Sequence, residues 1–139
     1  MTARVPQRVE HCGRPEVRIR LAQATQYVEV AKLVLGDVSD ESRPGVAGSL
    51  AVLAGIAAAD ATCCVTLRQR FRGQDHQGAA NLVVTVSPNG ATMANDLRRL
   101  LKKKDDAHYA SSFLGATTAK EMVTWAERLI RAARRVVEA

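Results

Sequence analysis

The stretch 46–67 constrains this chain more than any other: it carries a single charge, Asp60, and is built largely of alanine and glycine. As a helix it is long enough to cross a bilayer. Alanine and glycine are only weakly hydrophobic, however, and a carboxylate near the middle would add about 2.5–3.5 kcal/mol to insertion. The expectation is therefore a buried central helix and no membrane partner. Gly48 and Gly55 lie two turns apart, with Ala51, Ala54, Ala58 and Ala59 between and beyond them. Such a face lets a neighbouring helix approach closely, within the domain or across a dimer. A carboxylate among alanines needs a partner, which a basic residue or a histidine on another helix could supply to Asp60.

The flanking segments support a helical reading. Leu21, Ala24, Val28, Ala31 and Leu35 recur every three or four residues, predicting an amphipathic helix over 17–35 that ends at Gly36. Ser42 can cap the central helix, with Pro44 in its first turn. The segment GQDH restarts a helix with Asp75 as cap and Ala79, Leu82, Val83 and Val86 inward. The beta-branched LVVTV could instead be a short strand, although no second strand candidate offers to pair with it. Ser87-Pro88-Asn89-Gly90 reads as a turn. A further helix follows, and then a last one, capped by a Thr118/Glu121 box and burying Met122, Trp125, Ala126, Leu129, Ala133 and Val136.

A chain of 139 residues that is 47% hydrophobic but only 4% aromatic suits one domain whose core is Ala, Val and Leu. The fold class expected is all-α, a single-domain bundle of about five helices over 16–139, preceded by a flexible arm over 1–15 where no periodicity is seen.

Cys12, Cys63 and Cys64 are odd in number, which excludes an even disulfide framework and fits a reducing cytosol. Vicinal Cys63 and Cys64 point in different directions on a helix, so they read as small buried residues rather than ligands. His11 beside Cys12 has no second metal-like pair, and His76 reads as structural or surface. No metal and no cofactor are expected. The opening residues carry Arg4, Arg8, Arg14, Arg18 and Arg20 without an apolar block, so export by a signal peptide is not expected and the location is read as cytoplasmic.

The net charge of +6 favours an anionic partner, nucleic acid being the usual one. Arg68, Arg70 and Arg72 form one cationic cluster, suited to phosphates or to a solvated rim. Arg98, Arg99, Lys102, Lys103 and Lys104 form another, just before Asp105 and Asp106. In this second segment the apolar stripe of Leu97, Leu100 and Leu101 continues at helical spacing into Lys104 and His108. Those two are four apart, about 40° on the helical wheel, so both can reach into one groove.

The order of features resembles that of the HEPN domains (higher eukaryotes and prokaryotes nucleotide-binding): a first amphipathic helix, the Ala-rich GVAGSLAVLAGIAAADATCC, a short GQDH-led helix, a helix ending KKKDDAHY, and a closing helix AKEMVTWAERLIRAARRVVE. The resemblance implies one of two roles. Nuclease members cut RNA without metal at a dimer groove, using an arginine, four to six intervening residues and a histidine. His108 is then the candidate histidine, and Lys103 or Lys104 stands where the arginine would be, keeping the charge but losing the two-bond grip on phosphate. His108 would exchange the proton, a lysine would stabilise oxyanion charge, and Tyr109 would position substrate. Other members end in Arg-x-x-Ala-Asp-Tyr and are non-nucleolytic modules; Lys104 to Tyr109 looks like that ending with a histidine in the aspartate's place.

The expected function is accordingly a non-catalytic module that binds nucleic acid or nucleotide, or serves as a partner protein in a toxin–antitoxin or defence pair, acting as a homodimer. Its nucleic-acid contacts would come from Arg68, Arg70, Arg72, Arg98, Arg99 and Lys102. The alternative is a metal-independent ribonuclease built on His108 with Lys103 or Lys104.

Overall fold

The computed structural model describes residues 8–37, 39–109 and 112–139, with His108 and Tyr109 described by their backbone alone. A short strand, β1 (Val9–His11), leads into α1 (Arg14–Leu35). Then come α2 (Arg43–Leu67), β2 (Gln69–Phe71), α3 (Gln77–Val83), α4 (Gly90–Tyr109) and α5 (Ala116–Val137). The described residues form an all-α bundle of five helices, in keeping with the bundle of about five that the periodicity predicts.

Helix α2 is the axis of the bundle and packs against all four other helices. It can do so because its surface is small on nearly every side: Ala47, Ala51, Ala54, Ala57, Ala58 and Ala61 are fully buried. A Cβ at Gly48 would stand 2.8 Å from Leu114 Cδ2 and 3.1 Å from Met122 Sδ; one at Gly55 would stand 2.7 Å from Leu100 Cδ1 and 3.2 Å from Leu129 Cδ1. The two glycines thus admit α4 and α5, within the domain, at a distance no larger residue allows. Helix α2 is long and apolar enough to cross a membrane, yet 72% of its most apolar stretch is buried inside the fold.

Asp60 has the basic partner its surroundings require. Arg20 on α1 donates to Asp60 Oδ2 from Nη2 at 2.8 Å and from Nε at 3.1 Å, and Arg70 Nη1 lies 3.9 Å away. Burial pushes the Asp60 carboxyl up, against the opposing pull of Arg20, Arg70 and His76.

Several details differ from expectation. The part of the supposed arm that is described, from Arg8 onward, is ordered: β1 pairs antiparallel with β2, matching Val9 with Phe71, Glu10 with Arg70 and His11 with Gln69. Three-residue strands whose partners lie some sixty positions apart leave no periodic trace in sequence. Cys12 and Cys64 form a disulfide, with Cα atoms 5.4 Å apart. An odd count excludes complete pairing, not one bond. Cys64 faces Cys12, the residue after β1, whereas its neighbour Cys63 stays free and buried, its thiol pushed up to about 12 by burial and the Asp60 charge. The bond sits in a small second core of Cys12, Val17, Ala61 and Cys64, flanked by Leu21, Val65 and Val137.

The caps also differ. Ser42 is the N-cap of α2 but makes no cap bond, because its hydroxyl donates to Asp40 Oδ1 at 2.6 Å. The Thr118/Glu121 box is not formed: α5 starts earlier, at Ala116, behind Gly115. The segment LVVTV is the end of α3 and a turn, closed by Val86 N–H to Val83 C=O at 3.0 Å, not a strand.

Candidate nucleic-acid interface

Helix α4 changes character along its length, and the change makes the site. Leu97, Leu100 and Leu101 are buried against α2 and α5. One turn further the same face runs past the end of the core, so Lys103 is half-buried and Lys104 exposed. The two lysines line a cleft of about 340 Å³ with Gly45, Gly48 and Ser49 from the start of α2, Ala107 of α4, and Phe113, Leu114 and Met122. Gly48 contributes twice here, since its missing side chain both seats Met122 and keeps the cleft floor open.

The cleft continues past Phe113 into a second hollow of about 680 Å³ bounded by Glu41, Pro44 and Ala116. Phe113 stands between the two and is 65% exposed, which leaves its ring open to solvent at the junction.

The cleft is electrostatically positive. Lys102 is spent on Asp106, Nζ to Oδ2 at 3.3 Å, one turn along the helix. Lys103 and Lys104 have no ion pair or hydrogen bond among the described residues. Two ammonium groups beside an exposed ring can hold an anion carrying an aromatic group: the cations meet the charge and the ring offers a stacking face.

The remaining sequence candidates are placed unevenly. α4 stays helical through Tyr109, so Lys104 and His108 lie one turn apart along its axis; the side chains of His108 and Tyr109 lie outside the described residues. Arg98 donates to Asn81 Oδ1 at 3.2 Å, and Arg99 sits 6.0 Å over the Trp125 ring with Asp96 at 3.6 Å. Both belong to the packing of α4 against its neighbours. Burial raises the Asp96 carboxyl, while Arg128 and Arg99 pull it back.

The Arg68, Arg70 and Arg72 cluster is not brought to the cleft. It lies at the other end of α2, about 30 Å away at 1.5 Å per residue counted from Gly48. There Arg70 and Arg72 bind Glu10 at 3.3 and 3.1 Å, which makes them struts between the two strands. Asp60 belongs to that end as well and is no part of the cleft.

Sequence reasoning missed Phe113 and Ser49. The available signal was a phenylalanine in the polar turn SSFLG, in a chain with only two of them. Among the described residues no group of three His, Cys, Asp or Glu side chains is arranged to hold a metal ion. No family model matches this chain, and no curated protein or solved structure matches it either.

Proposed function

We propose that this chain is a HEPN-like helical module that binds nucleic acid or a nucleotide at the Lys103–Lys104–Phe113 cleft without cutting it. The observation that carries this reading is the pair of lysines, unpartnered among the described residues, beside an exposed aromatic ring over a cleft of about 340 Å³. A phosphate would sit on the ammonium groups and a base on Phe113. One ring gives stacking without a code, so binding is to single strands irrespective of sequence. A module of this kind fits the partner role in a toxin–antitoxin or defence pair, and a homodimer would join two clefts.

One observation favours the ribonuclease as second reading: α4 remains helical through Tyr109, which keeps Lys104 and His108 on neighbouring turns of one face. A labelled single-stranded RNA incubated in EDTA with wild type and with His108→Ala separates the two. The binder leaves the RNA intact in both, and its affinity falls at least fivefold in Phe113→Ala; cleavage abolished by His108→Ala would replace it with the nuclease. A cytoplasmic location belongs to the same proposal; the burial of α2 bears on a membrane span and not on the compartment. The Cys12–Cys64 disulfide pulls the other way, because such bonds persist chiefly in oxidising compartments. Trapping the thiols in intact cells before lysis decides it.

A further inference from the structure

A second cavity lies at the far end of the bundle from the lysine cleft, between α1, the last turns of α2 and the end of α5, with a volume of about 560 Å³. That size is typical of small-molecule sites. Its rim carries three guanidinium groups, Arg14, Arg18 and Arg134. Its floor is apolar: Val17, Leu21, Val65 and Val137 line it, and all four belong to the small core around the Cys12–Cys64 bond.

The rim is charged but not neutralised. Arg14 and Arg18 are one turn apart in the first turns of α1, and neither has an ion pair or hydrogen bond among the described residues. Like charges at that spacing, near the positive end of a helix, are mutually unfavourable. Arg134 is fixed at the edge: its Nη2 donates to Thr25 Oγ1 at 2.9 Å, and that hydroxyl donates to the Leu21 carbonyl at 3.0 Å. Ala139 borders the cavity without an ion pair to any of the three.

We infer that this cavity is a binding site for a small aliphatic carboxylic acid, its chain lying on the Val17–Leu21–Val65–Val137 floor and its carboxylate held by Arg14 and Arg18. An apolar floor alone would take any hydrocarbon. The guanidinium forks of Arg14 and Arg18 at its mouth, unpaired among the described residues, select an acid head group, which they can grip through paired hydrogen bonds. Because the cavity is separate from the lysine cleft, the inference stands or falls independently of RNA binding.

The test is isothermal titration of the full chain with decanoate below its micelle concentration, with decanol and decylamine as controls and amide chemical shifts to locate the site. The expected result is saturable one-to-one binding, at least tenfold weaker for decanol and absent for decylamine, with shifts centred on α1 and Val65. Arg14→Gln with Arg18→Gln, both at exposed positions, should weaken decanoate at least tenfold. Ala22→Trp, which fills the mouth from an exposed position on α1, should abolish binding in a protein whose circular dichroism is unchanged. Decanoate that fails to saturate, decanol that binds as tightly, or a double variant that binds as well as wild type would each overturn the inference.

Discussion

Removing the Cys12–Cys64 disulfide should destabilise the fold by an amount that follows from its place in the chain. The bond joins residues 52 positions apart, and closing a loop of that size in the unfolded chain stabilises the native state by about 4 kcal/mol on the chain-entropy account. Both sulfurs are buried in a small apolar core, so a Cys12→Ala/Cys64→Ala variant keeps that core nearly filled and isolates the cross-link. For a chain of 139 residues that loss corresponds to a melting temperature lower by roughly 10–15 °C. The assay is thermal unfolding by circular dichroism without reductant, paired with thiol counting. Of three cysteines one is free, so unfolding without reduction should release a single reactive thiol, and reduction should release all three. Three thiols in the unreduced protein would refute the pairing. A variant melting within about 2 °C of wild type would refute the claim that the bond holds β1 and the start of α1 to α2.

Other consequences follow from the core. Gly55→Val places branched atoms where even a Cβ stands 2.7 Å from Leu100, so it should destabilise by about 3 kcal/mol in urea unfolding; a neutral result would mean α4 is not seated on that glycine. Arg20→Ala strands the buried Asp60 carboxylate and should cost about 3 kcal/mol at pH 7, measured the same way, whereas a loss below about 1 kcal/mol would mean Arg70 alone suffices. Asp60 also has a pH signature. Because its carboxyl is raised in the fold, the unfolded chain releases this proton first as pH rises, so the stability of wild type relative to Asp60→Asn should fall upward from about pH 4 and level off once the folded group has ionised. A difference that grows with pH would mean that Arg20 outweighs burial.

The architecture was legible because helices announce themselves locally. The 17–35 periodicity, the Ala and Gly face of 46–67 and the Leu97–Leu100–Leu101 stripe each specify an element and its buried side within a few turns. Asp60 was legible as a group needing a partner, although nothing near it pointed to Arg20, forty positions away. What stayed hidden is non-local: the β1–β2 pairing, the disulfide that follows from it, and the spending of Arg70 and Arg72 on Glu10. For the cleft, the polar turn of the α4 stripe marked Lys104 and His108 as sharing one groove; Lys104 lines the cleft together with Lys103, and the His108 side chain lies outside the described residues. Phe113 went unmarked because exposure of an aromatic in a short loop depends on how α4 and α5 are joined, not on any pattern around it.

The central claim, a single-strand binding cleft at Lys103 and Lys104, is tested most directly by the salt dependence of RNA affinity. Fluorescence anisotropy of a labelled single-stranded oligonucleotide, titrated over a series of salt concentrations, yields the slope of log affinity against log salt. Each phosphate contact on a single strand contributes about 0.7 to that slope, so Lys103→Gln/Lys104→Gln should make it shallower by about 1.4. An unchanged slope and affinity in a folded double variant would mean that nucleic acid, if bound at all, is held elsewhere.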